Sequence, residues 1–240
     1  MTNPTAAVLL IGDEILSGRT QDSNLHFLAG ELMKYGIDLN EARVIRDKTS
    51  AIIEVVRTLS QTHDYLFTSG GIGPTHDDIT AEAIAAAFDL SIDIREDARS
   101  LLVEHYQRSG RELNIARLRM ARIPDGASLI YNSISAAPGF SIENVHVMAG
   151  VPVIFRAMVA DLLPRLNCGR PVCDQTLKIM RAEGDIAAAL ASIADEFKDL
   201  SIGCYPFRKK RLFGTNVVVR GANTSRVSDA IKRINAALEI

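Results

Sequence analysis

The sequence contains no tryptophan, only three cysteines and no large excess of either charge. The cysteines, Cys168, Cys173 and Cys204, have no Cys-x-x-Cys spacing, which argues against a disulfide framework and a zinc site. We interpret them as reduced thiols of a cytoplasmic protein. The 27 basic and 29 acidic residues give a net charge of −2, so no overall field attracts nucleic acid or anionic lipid.

Long apolar runs are also missing. No stretch approaches the roughly 20 apolar residues that a membrane helix needs, and residues 1–4 do not begin a secretory signal. We therefore expect a cytoplasmic protein that binds neither membranes nor nucleic acid. The 240 residues, 47% of them hydrophobic, suffice for one large domain or for a main domain with a smaller one.

Short apolar runs alternate with amphipathic segments in the first part of the chain. Residues 6–11, 37–45 and 65–67 have the pattern of strands, and helix patterns begin after Asp22-Ser23 and at Thr49-Ser50. This alternation predicts an α/β fold with three layers, in which helices cover both faces of a mostly parallel sheet.

Two further segments are predicted from composition and periodicity. Residues 95–122 are expected to form two charged helices separated by Ser109-Gly110. Residues 167–171 have the composition of a linker, which predicts a main domain over residues 1–168 and a small α+β domain over residues 172–240. The basic run Arg208 to Arg211 lies between two predicted strands, either as a solvated hairpin turn or as a clamp for phosphates.

Residues 68–80, Thr-Ser-Gly-Gly-Ile-Gly-Pro-Thr-His-Asp-Asp-Ile-Thr, separate a strand pattern from a helix pattern. Glycines allow a close backbone approach, and a helix N-terminus attracts anions such as phosphate. Asp77 and Asp78 would repel phosphate unless a cation lay between the carboxylates and the phosphate. Mg²⁺ is such a cation, because it takes ligands from one or two carboxylates and from phosphate oxygens. The simpler alternative is that Asp78 or Thr80 caps the helix and the glycines form an ordinary turn.

Acidic residues also follow the first two predicted strands. Gly12, Asp13 and Glu14 form a predicted turn after the first strand, and Asp47 follows the second. In an open α/β sheet these positions lie at the carboxyl ends of the strands, where ligands bind. Each acidic residue is therefore either an exposed loop charge or part of a metal or substrate site.

Residues 70–80 resemble the signature of the molybdopterin-binding domain superfamily, in its MoaB/Mog-like form, and match its CinA-like (competence/damage-inducible protein A) branch most closely. Residues 11–24, 137–140 and 149–152 resemble other motifs of that branch, in the same order along the chain. Some relatives continue into an amidase domain; because this sequence ends at Ile240, we expect no amidase activity.

The resemblance implies that Asp47 and Asp78 act together at one pocket, with Mg²⁺ or another divalent cation held by Asp47, Asp77 and Asp78. It also implies a KH-like C-terminal domain and a homo-oligomer, dimer or trimer. The Gly-x-x-Gly clamp with which true KH modules bind RNA is absent from residues 172–240. The substrate-binding residues that it implies are Gly12, Asp13, Gly70, Gly71, Gly73, Pro74, Thr75, Thr80, Pro138, Gly139, Gly150 and Pro152.

Three functions fit these motifs, all with a small nucleotide or pterin ligand. The first is a metal-dependent pyrophosphatase for nucleotide diphosphates such as ADP-ribose or FAD. The second is adenylyl transfer to molybdopterin in molybdenum cofactor synthesis. The third is a regulatory protein that binds the ligand without turnover, which the unusual loops Ala136-Ala137-Pro138 and Ala149-Gly150 favour.

Overall fold

The computed structural model describes residues 2–209 and 212–239. Contacts divide the chain into two compact units, Met1–Gly169 and Arg170–Ile240. Each unit is built around hydrophobic clusters of its own. Among the described residues, no helix has both the length and the apolar character needed to cross a bilayer.

The first unit is organised around a six-stranded sheet with the order β2-β1-β3-β8-β7-β6. Strands β1, β2, β3 and β8 run parallel, and β7 is antiparallel to both of its neighbours, β8 and β6. The mostly parallel sheet predicted from the sequence is therefore confirmed. The six strands are β1 (Thr5–Ile11), β2 (Asp38–Ile45), β3 (Tyr65–Ser69), β6 (Ser128–Ile130), β7 (Gly139–Ile142) and β8 (Val145–Met148).

Helices cover both faces of this sheet. Alternate residues of β1 enter two different clusters: Leu9 packs with Ile52 of α3 and Ile84 of α4, whereas Leu10 packs with Leu28 of α2. This confirms the predicted three layers. The helices are α1 (Asp13–Leu16), α2 (Asn24–Lys34), α3 (Thr49–Thr62), α4 (Thr80–Ala87), α5 (Glu96–Ser109), α6 (Ile115–Leu118) and α7 (Pro152–Leu162), with 3₁₀ turns at Arg119–Ala121 and Leu163–Arg165.

The prediction of two full helices over residues 95–122 is only half right. Helix α5 does end before Gly110, which takes the left-handed conformation expected of a helix terminator. Beyond it, only the single turn α6 and a 3₁₀ turn form, and the chain then enters a short strand, β5 (Arg122–Pro124). Strand β5 pairs with β4 (Ile92–Ile94), a tertiary pairing that three-residue strands cannot reveal through periodicity.

The second unit has a three-stranded antiparallel sheet with the order β10-β11-β9 and two helices packed on it. This agrees with the strands and helices predicted after the linker. The predicted basic hairpin tip is only partly visible, because Lys210 and Arg211 lie outside the described residues. The elements are β9 (Cys173–Ile179), α8 (Glu183–Glu196), β10 (Ser201–Lys209), β11 (Leu212–Gly221) and α9 (Thr224–Leu238).

A buried histidine makes the stability of the first unit sensitive to acid. His146 of β8 is 4% exposed, and its Nδ1 lies 2.8 Å from Oγ of Ser141. Burial, with a smaller contribution from the charge of Arg165, lowers the pKa of His146 from 6.5 to about 4. Between these two values the unfolded chain binds a proton that the folded chain does not, so stability falls as the pH is lowered.

We expect this histidine alone to lower the free energy of unfolding by about 3 kcal/mol as the pH falls from 6.5 to 4. Urea titrations at several pH values, on the wild type and on His146→Gln, measure it. The difference between the two proteins should change by that amount across the window and stay constant above pH 7. Parallel pH profiles would contradict a neutral, buried imidazole.

Candidate functional site

The carboxyl ends of the four parallel strands meet at one edge of the sheet. The register pairs Ile11 with Ile45, Leu10 with Ser69, and Ser69 with Met148. The residues that follow these strand ends therefore lie near one another. This is the edge where open α/β sheets bind ligands, and it is where the sequence predicted the site.

A cavity of about 590 Å³ opens at this edge. Its wall includes both acidic residues and glycines from the predicted site. The predicted residues that line it are Asp47, Gly70, Gly71, Gly73, Pro74, Asp77, Asp78, Gly150 and Pro152. Asp47 and Asp78 therefore line one cavity, as the resemblance implied. That they act together stays a prediction.

The remaining predicted positions do not line this cavity. Asp13 lines a separate pocket, where its Oδ1 lies 3.9 Å from Nε of Arg46. Pro138 lines another small pocket. Thr80 is fully buried beneath the glycine loop, and its amide donates to the carbonyl of Gly71 at 2.9 Å. The other predicted positions outside the cavity lining are Gly12, Thr75 and Gly139.

The loop at Gly70 to Gly73 leaves several amides available. The amide of Gly70 donates to the carbonyl of Met148 at 3.1 Å. Those of Gly71, Ile72 and Gly73 donate to no acceptor in the part of the chain that the structure describes. Free amides on a glycine-rich loop before a helix form an arrangement suited to an anion.

Asp78 is held in place within this loop. Its Oδ2 accepts hydrogen bonds from the amide and the hydroxyl of Thr75, at 2.8 and 2.5 Å. The simpler interpretation, that Asp78 or Thr80 caps the helix, is wrong. The N-cap of α4 is Ile79, Thr80 is the first helical residue, and no side chain caps this helix. Thr75 therefore helps to hold Asp78 in place, and its contact with substrate stays a prediction.

Asp47 carries a charge that its surroundings do not neutralise. Its Oδ2 accepts a hydrogen bond from the amide of Asp13 at 2.9 Å. Partial burial, and then the nearby carboxylates of Glu14, Asp13 and Asp77, raise the pKa of Asp47 above its usual value. A cation bound at Asp47 would offset the repulsion from these carboxylates.

These carboxylates have the hard oxygen donors that Mg²⁺ prefers. Within residues 2–209 and 212–239, however, no three acidic, histidine or cysteine side chains converge as a preformed metal site. Because Mg²⁺ keeps waters and shares phosphate oxygens with its substrate, Asp47 and Asp78 fit a metal that binds together with a diphosphate.

The rest of the cavity wall is largely apolar, and part of it lies outside the motifs that the sequence indicated. Tyr106 and Met120 line the cavity; in the sequence each belongs to an apolar stripe of the two helices predicted over residues 95–122. Local pattern does not distinguish a side chain packed in a core from one facing a cavity. The other apolar residues of the wall are Ile11, Ile72, Ala137, Ala149, Val151, Ile154 and Met158.

Together the sheet and cavity define an α/β domain that can hold a ligand at the carboxyl ends of its parallel strands. Residues 7–167 match a family model described as a probable molybdopterin binding domain. The chain therefore belongs to the molybdopterin-binding domain family, as the motifs indicated. Residues 171–240 match a model described as the middle domain of FAD synthase.

Similar proteins carry CinA and FAD synthase names. A "Probable FAD synthase" of Caenorhabditis elegans is 31% identical, and the aligned region covers 98% of this chain and 50% of that protein. A "CinA-like protein" of Desulforapulum autotrophicum is 30% identical over 88% of the chain and 56% of its own length. The crystal structure of CinA from Thermoplasma acidophilum superposes with a TM-score of 0.62 at 30% identity, covering 69% of this chain and 99% of that one. These likenesses confirm the CinA-like branch.

Proposed function

We propose that this protein is a divalent-cation-dependent pyrophosphatase that cleaves the diphosphate of a dinucleotide such as FAD or ADP-ribose. The observation that carries the proposal is one cavity lined both by Asp47, Asp77 and Asp78 and by a loop with unused amides. The apolar wall around Tyr106 and Met120 suits a planar ring such as flavin or adenine.

In this proposal each group has a distinct task. The amides of Gly71, Ile72 and Gly73 bind oxygens of the diphosphate. Asp78, oriented by Thr75, and Asp47 hold the cation, which when bound offsets negative charge on the phosphoryl oxygens. Carboxylates and phosphate therefore share the cavity without net repulsion only when the cation is present.

The test is a hydrolysis assay with FAD and ADP-ribose in Mg²⁺, Mn²⁺ or Co²⁺, with EDTA as the metal-free control. We expect AMP as a product, cation dependence, and loss of at least about 100-fold in rate for Asp78→Asn. Tight binding without turnover in every cation would instead identify a non-catalytic binding protein.

Adenylyl transfer is the second candidate, and the match to the FAD synthase middle domain favours it. The same cavity would hold a nucleotide triphosphate and a phosphorylated acceptor, FMN or molybdopterin. Incubation with ATP and FMN, or with ATP and molybdopterin, distinguishes the two reactions. Release of pyrophosphate with formation of the adenylated acceptor, and no hydrolysis of FAD or ADP-ribose, would replace the first proposal by this one.

A further inference from the structure

A single buried side chain connects the two loops that form much of the cavity wall. Asn24 begins helix α2 and is 3% exposed. Its Nδ2 donates to Oγ of Ser69 at 2.9 Å and to the carbonyl of Gly150 at 2.7 Å. These partners lie 45 and 126 residues away along the chain, one directly before the glycine loop and one two residues before the start of α7.

The orientation of this amide is determined by chemistry. Rotating it by 180° would place Oδ1 against the carbonyl oxygen of Gly150, and two acceptors cannot form a hydrogen bond. Both protons of Nδ2 are therefore used by the two loops. Oδ1 is left buried without a partner in the described part of the chain, an arrangement that costs stability. Asn24 makes both hydrogen bonds to the loops despite that cost.

The two loops are also in direct backbone contact. A Cβ added to Gly150 would lie 3.2 Å from Cα of Gly70, and Gly70 donates its amide to the carbonyl of Met148. Asn24 adds a further attachment, through α2. A small displacement of either loop would change the distance between the free amides and the residues on α7.

We propose that Asn24 is the positioning residue of the cavity: it holds the Gly70–Gly73 loop and the Gly150 loop at the separation that binds a dinucleotide. Asn24 does not line the cavity. Its loss should therefore weaken substrate binding more than it slows the chemical step. The substrate part of this inference rests on the proposed function, whereas the coupling of the loops does not.

The test compares Asn24→Ala with Asn144→Ala. Asn144 is a matched control, because its Nδ2 also donates to two carbonyls, of Ser60 and His63, and it does not line the cavity. We expect hydrogen exchange to be about tenfold faster at residues 67–70 and 149–155 in Asn24→Ala alone. KM for FAD or ADP-ribose should rise roughly 10- to 100-fold with kcat changed less than about threefold.

Equal exchange at these loops in both variants, or a fall in kcat without a rise in KM, would overturn the inference. If the wild type hydrolyses nothing, the pyrophosphatase proposal fails, and the exchange measurement still decides the role of Asn24. Should Asn24→Ala not fold, Ser69→Ala removes only one acceptor and is expected to accelerate exchange at residues 67–70; unchanged exchange there would overturn the inference.

Discussion

Asp47→Asn should reduce cation-dependent hydrolysis of FAD and ADP-ribose by at least about 100-fold while leaving the protein as stable as the wild type, or more stable. Asparagine retains an oxygen that can accept the amide of Asp13, so the local fold is preserved. It removes a charge that partial burial disfavours and that Glu14, Asp13 and Asp77 repel, the causes that raise the pKa of Asp47. Steady-state kinetics and thermal melts measure the two effects.

The opposite changes in activity and stability separate a functional carboxylate from a structural one. Asp93→Asn is the control, because Asp93 is exposed on β4 and does not line the cavity. It should leave both rate and melting temperature unchanged. A stability loss at Asp47 comparable to its activity loss, or unchanged hydrolysis, would show that this carboxylate has no role with a cation.

Gly70→Ala should lower the free energy of unfolding by on the order of 3 kcal/mol. Gly70 has a φ of 111°, a region that residues with a side chain rarely adopt. A Cβ at this position would lie 2.2 Å from the carbonyl oxygen of Ile11, and main-chain atoms cannot move aside as a side chain can. Denaturant titration measures the loss.

Gly30→Ala is the matched control, and its effect should have the opposite sign. Gly30 lies inside α2, and a Cβ there meets no atom within 4 Å. Alanine favours the helix, so we expect up to about 1 kcal/mol of added stability. Similar losses in both variants would show that glycine is required generally and that the contact with Ile11 is not responsible.

Part of the site could be predicted because strand order and chain direction constrain it. Once β1, β2 and β3 were identified as parallel strands, Asp47 and the glycine loop had to lie at one edge of the sheet. The same argument could not distinguish residues in the cavity wall from those beneath it. Thr80 belongs to the motif, yet it is buried under Gly71.

Other features had no local signal. Tyr106 and Met120 carry the periodicity of core residues, and only the packing of α5 and the following turn brings them to the cavity. Strands β4 and β5 are too short to show a period of two. Asn24 lies where the sequence predicts the start of a helix. Its two hydrogen-bond partners are distant in sequence, so the pattern around it does not indicate them.

The amino-acid sequence by itself determined the alternation of strands and helices, the glycine loop and the family, because periodicity and motifs are local properties of the chain. Only the tertiary structure decided which motif residues line the cavity, which ones support them, and how Asn24 joins two of the loops. Those outcomes depend on contacts between segments up to 126 residues apart, and such contacts leave no trace in local spacing.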